Sequence, residues 1–162
     1  MSLAPGIRRR SPTHNGGGFR TFRQEPDGYA VGEHWISPPG SVGIMDVMPI
    51  EMSRRDFDEL VSDALDLIPA EFTKAMDNVV VLVEDRHPTR SLYGLYHGVA
   101  LTARTSNYAG IVPDTIHIYR EPILRYAHSE QEAKEQVAKT VIHEVAHHFG
   151  IDDDRLDELG WA

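Results

Sequence analysis

SEQEAKEQVAKTVIHEVAHHFG, residues Ser129 to Gly150, is the clearest structural signal in the chain. Ser129 followed three positions later by Glu132 is a capping-box pattern, and no glycine or proline then interrupts the run before Gly150. Ala133, Val137, Val141 and Val145 recur at helical spacing on one face, with Ala138, Ile142 and Phe149 beside them. Gln136, Lys139, Thr140, His143 and His147 fall on the other side. The spacing predicts an amphipathic helix of about 20 residues, roughly 30 Å long at a rise of 1.5 Å per residue.

The end of that helix reads His143-Glu144-Val145-Ala146-His147, an HExxH pattern. Residues four apart lie on one helical face, so imidazoles at these two positions can bind one metal ion. The glutamate after the first histidine then points near the metal's remaining position, where it can take a proton from water. Gly150 stops the helix and lets the chain turn back, and Asp153 completes HExxHxxGxxD. A glycine turn that returns a third ligand is what a three-ligand catalytic site requires. Asp152, Asp153 and Asp154 are consecutive; spacing favours Asp153 as third ligand, with Asp154 its competitor. The same acidic run can cap a short helix over Arg155 to Leu159, and capping and ligation are compatible. His148, next to a ligand position, points elsewhere and is read as a supporting or surface residue.

Working outward, Ser53 caps a first helix with Asp56 three residues on, and Phe57, Leu60, Val61, Ala64, Leu65 and Leu67 follow at helical spacing until Pro69. NVVVLVED, Asn78 to Asp85, reads as a buried strand. Further extended stretches are expected at Leu95 to Leu101 and at TIHIY, Thr115 to Tyr119, the latter either a sheet edge on which an extended peptide could pair or an ordinary core or capped edge strand. Helix, strands and long helix in that order indicate an α+β domain.

Residues 1–41 are rich in Gly, Pro, Arg and Ser and read as a disordered basic tail, with residues 42–162 as the folded domain. The tail carries a net charge of +2 and the remainder −11, of a total of −9 over 162 residues. Such an acidic body argues against a partner that is bound by neutralising phosphates and suits basic substrates. There are no cysteines, which leaves His, Asp and Glu as strong metal ligands. The N-terminus lacks the apolar run of a secretory signal, and no apolar stretch nears the roughly 20 residues that cross a bilayer. A cytoplasmic location without membrane or nucleic-acid partners is the expectation; the oligomeric state is not legible.

The span from Leu95 onward resembles the small bacterial zincin-like metallopeptidases of Asp-zincin type. The residues that carry the resemblance are Gly94 to Tyr108 (GLYHGVALTARTSNY), Pro113 to Ile123 (PDTIHIYREPI) and Val141 to Gly160 (VIHEVAHHFGIDDDRLDELG). The resemblance implies a minimal zincin-like fold, a short mixed sheet packed on helices with the HExxH helix lining the cleft. It also implies one zinc ion on His143, His147 and Asp153, and a peptide or protein substrate hydrolysed with Glu144 as general base. Larger zincins with a glycine-turned third ligand place a methionine turn beneath the metal, but none of the five methionines here follows the motif. Trp161 is the candidate by position to floor the site, or equally an ordinary core aromatic near the C-terminus. Tyr96, His97, His117 and Tyr119 are candidate second donors to a developing oxyanion. Two other functions compete: a non-catalytic, metal-binding regulatory module, and a metal-dependent ribonuclease, against which Glu144 and the acidic body argue.

Overall fold

The computed structural model describes residues 18–24, 30–36, 49–104 and 112–160, the first two segments as backbone alone. In chain order the elements are β1 (Gly18–Gln24), β2 (Ala30–Ile36), α1 (Arg54–Asp66), α2 (Ala70–Ala75), β3 (Val79–Glu84), β4 (Gly94–Gly98), β5 (Asp114–Tyr119), α3 (Arg120–Tyr126), α4 (Glu130–His148) and α5 (Asp153–Leu159). A single 3-10 turn at Leu101–Ala103 follows β4. The strands form one mixed sheet in the order β1-β2-β4-β5-β3, antiparallel except for the parallel pair β3 and β5. The architecture is the expected α+β one, a mixed sheet packed on helices with the HExxH helix late in the chain.

Local signals set the helices. Ser53 and Ser129 each accept a hydrogen bond from the backbone N–H three residues on, at Asp56 and Glu132. Glu132 reaches back to accept from the N–H of His128 at 2.7 Å, closing a box around the start of α4. Phe57, Val61 and Ala64 of α1 are buried against Val137 and Val141 of α4, and Tyr96, Ile116 and Ile118 of the sheet complete this core. All four residues of the predicted apolar stripe, Ala133, Val137, Val141 and Val145, are buried. The last two turns of α4 depart from simple amphipathicity, because Thr140 and His143 to His148 are buried too. The polar side faces protein there, not water.

Two expectations change and one open choice closes. The apolar run at β3 is the edge of the sheet, not a strand buried on both faces, and Val80 and Leu82 are 41% and 38% exposed. A continuous Val/Leu run reads alike at either place. Arg54 donates to the carbonyl of Val83, which helps cover this edge. Of the readings of TIHIY the core one holds: β5 has β4 on one side and β3 on the other, so it offers no edge to a peptide. Finally, β1 and β2 lie within residues 1–41, the span read as a disordered tail. β1 pairs with β2, and β2's other ladder partner, β4, is some sixty residues away in sequence, so composition counted locally could not reveal that pairing. The short helices α2 and α3 were also not signalled.

Candidate metal centre

The centre is built where α4 ends. Phe149 caps the helix, the Gly150 N–H donates to His147 O at 3.0 Å, and the Ile151 N–H donates to Ala146 O at 3.0 Å. These are the two bonds of a Schellman motif, and they demand the left-handed backbone that Gly150 adopts at φ +82°. A side chain at Gly150 would also collide with Thr102, whose 3-10 turn lies against it. Asp152 then caps α5, accepting from the Arg155 N–H at 2.9 Å. With Asp152 so engaged, the next residue, Asp153, turns back toward α4 while Asp154 is exposed. The run of three aspartates is thereby divided between structure and site.

His143, His147 and Asp153 come together. Oδ1 of Asp153 lies 3.4 Å from Nε2 of His143 and 3.2 Å from Nε2 of His147. The two imidazoles stand edge to face, with ring centroids 4.5 Å apart. Both histidines are buried and Asp153 nearly so. Nδ1 of His147 lies 2.8 Å from the carbonyl of Ile151. A carbonyl can only accept, so Nδ1 carries the hydrogen, which in the neutral ring leaves Nε2 with a lone pair facing Asp153. Without a cation in place, only protonated imidazoles at His143 and His147, donating to Asp153 and attracting its charge, would hold its carboxyl below the usual carboxylate range against the rise that burial causes.

The donor set fits a zinc ion. Two imidazole nitrogens and one carboxylate oxygen converge within 4.8 Å of one another. Ligands bonded at about 2.0–2.1 Å in a tetrahedral arrangement sit about 3.3 Å apart, which matches the two nitrogen–oxygen separations. Oδ1 of Asp153 is buried and receives no hydrogen bond. A buried carboxylate oxygen in that condition is costly unless a cation takes its charge.

Glu144 is fully buried between α4 and the sheet. It can be there because β4 presents Gly94: a Cβ at that position would fall 2.5 Å from Oε1 of Glu144 and 2.7 Å from Cγ2 of Thr140. In the sequence Gly94 carries only the signal of an isolated glycine in a strand, which marks a close approach.

Behind the motif lies a second buried cluster that the sequence did not suggest. Oδ2 of Asp114 takes hydrogen bonds from Tyr96 Oη at 2.8 Å and Arg104 Nη2 at 2.5 Å, and lies 3.0 Å from Nδ1 of His148. Burial pushes this carboxyl up, but the bonds from His148 and Tyr96 and the charge of Arg104 prevail, so it titrates below the ordinary range. His148, fully buried, is thus no surface residue; it ties the last turn of α4 to β5. Gly98 of β4 leaves room for Asp114 as Gly94 does for Glu144.

The four candidate oxyanion donors are not gathered at the centre. Strand alternation puts His97, His117 and Tyr119 on the sheet face away from α4, where Tyr119 packs with Leu92 and Leu95. Tyr96 is on the α4 side, with its hydroxyl donated to Asp114. Trp161 lies outside the described residues. Among the described residues, no helix is long and apolar enough to cross a membrane.

Residues 76–161 match a family model described as zincin-like metallopeptidase. The match begins before β3 and runs through α5, so it spans the HExxH helix, the Gly150 turn and Asp153. A comparison with curated proteins gives no match.

Proposed function

This chain belongs to the zincin-like metallopeptidase family, and from that premise we propose that it is a zinc-dependent peptidase with Glu144 as its general base. The observation that carries the proposal is the convergence of Nε2 of His143, Nε2 of His147 and Oδ1 of Asp153 on one point, beside a buried glutamate. His143, His147 and Asp153 would hold the ion. When bound, zinc supplies Lewis acidity and brings the pKa of water to about 7.

The chain's own groups do the rest. Glu144 accepts a proton from water as the water oxygen adds to the amide carbonyl carbon, and returns that proton to the leaving amine as the C–N bond breaks. Its burial against Gly94 limits its rotamers, so the carboxylate is held in place before substrate arrives. The Ile151 carbonyl keeps His147 in one tautomer and orientation. Peptides or proteins are the proposed substrates, and the acidic surface, at a net −9, disfavours nucleic acid as an alternative.

The test is Glu144→Gln, assayed with the purified zinc-loaded protein on a broad peptide library. General-base catalysis contributes roughly 10²–10⁴-fold, so cleavage should fall by about that factor while zinc stays bound. Full activity in the zinc-loaded variant would refute the mechanism. A parallel RNA-cleavage assay should show no turnover, and absence of any cleavage would favour a regulatory metal site.

A further inference from the structure

Within the matched span, β4 has a strand neighbour on one side only, β5. Its other edge is taken by β2, which lies outside that span and pairs antiparallel in the register Gly32↔Gly98 through Ile36↔Gly94. Gly94 is the residue whose backbone lies against the carboxylate of Glu144. The C-terminal end of β2 therefore brings an extended chain to the backbone position next to Glu144, and β2 also packs on α4, the helix that carries both histidines.

We propose that β2 is a resident pseudosubstrate, a segment of the protein's own chain occupying the edge of β4 on which a peptide would lie. This rests on the peptidase reading above. A sheet edge binds extended chains mainly through main-chain hydrogen bonds, so it accepts many sequences, including the chain's own. One edge holds one strand, and the occupant excludes the other. Linkage through the chain favours the resident, because a short tether gives an effective concentration on the order of millimolar. Even a weak pairing then holds off dilute peptides. Access requires the β1–β2 hairpin to leave β4, which makes the hairpin a control on the site that is separate from its chemistry.

A reversible lock tests this in the full chain. The protein has no cysteines, so Glu33→Cys with His97→Cys, a register pair of β2 and β4, gives the only possible disulfide within one chain, and the oxidised monomer is separated from any cross-linked dimer. Zinc-loaded protein is assayed on fluorescein-labelled casein in the oxidised and the reduced state. Casein binding is read by anisotropy in the same pair carrying Glu144→Gln. The cross-link should form under mild oxidation, and the reduced form should cleave and bind casein at least tenfold better than the oxidised form. Failure of the cross-link to form, or equal cleavage in both states, overturns the proposal; equal cleavage leaves the peptidase reading intact. If neither state cleaves, the peptidase reading fails and binding decides the occupancy. Binding only when reduced supports it, and equal or absent binding overturns it.

Discussion

Gly94 and Glu144 are fitted to each other: the strand residue has no side chain where the helix residue places its carboxylate, and a Cβ there would lie 2.5 Å from Oε1. Because Thr140 would be met at 2.7 Å as well, the displaced glutamate has little room to give way. Gly94→Ala should therefore lower turnover on a peptide substrate by about 100-fold, the usual consequence of a misplacement near 1 Å. Zinc affinity, measured by competition with a chromogenic chelator, should stay within about threefold. A variant that loses zinc and activity together would contradict this division of roles.

Asp153 and Asp154 should behave oppositely. Asp153→Asn removes the negative charge of the carboxylate that faces both imidazoles, whereas Asp154 is exposed. Loss of a direct ligand should exceed the roughly 10–100-fold affinity loss typical of residues one step behind a metal. Asp154→Asn should leave affinity nearly unchanged. Equilibrium zinc titration of both variants decides the matter, and equal losses would mean that the aspartates share the site.

Zinc removal should also register as stability. At about 100 times its dissociation constant, a ligand of the native state contributes about 2.7 kcal/mol, or roughly 5–10 °C in Tm for a domain of this size. Wild type should lose that increment on addition of a chelator and regain it with zinc. His147→Ala should show no such response.

Acid should act through Asp114. Its folded-state pKa lies below the ordinary value near 4, so the carboxylate contributes stability above that pH. The contribution is lost as pH falls through the folded pKa, when the group protonates beside Arg104 and His148. Asp114→Asn should be less stable than wild type at pH 7, with the difference shrinking below about pH 4. Chemical denaturation at pH 7, 5 and 3 measures it; a difference constant across that range would show that Asp114 acts through shape rather than charge.

Gly150→Ala should destabilise the protein by more than the ~1–2 kcal/mol of a left-handed non-glycine residue, since Thr102 is also in the way. The helix stop and the return of Asp153 depend on the same two backbone bonds, so zinc affinity should fall along with Tm. A drop in Tm with unchanged affinity would separate the turn from the site.

The relations legible in the sequence are local. Helix periodicity put His143 and His147 on one face, serines at positions 53 and 129 announced the helix starts, and Gly150 announced the turn toward Asp153. All of these are relations within about ten residues, where backbone geometry alone fixes which groups meet. The tertiary structure decided what long-range pairing controls. It placed β3 rather than β5 at the sheet edge, set β2 on β4 within a span whose composition reads as a tail, and put His97 and His117 on the face away from the helix. It also gave His148 its partner thirty-four residues back, in Asp114. HExxH, then, was legible because two imidazoles one helical turn apart need no distant partner to face each other. Gly94 was not, because a glycine states only that space is wanted, and the close packing of β4 on α4 decided that Glu144 would fill it.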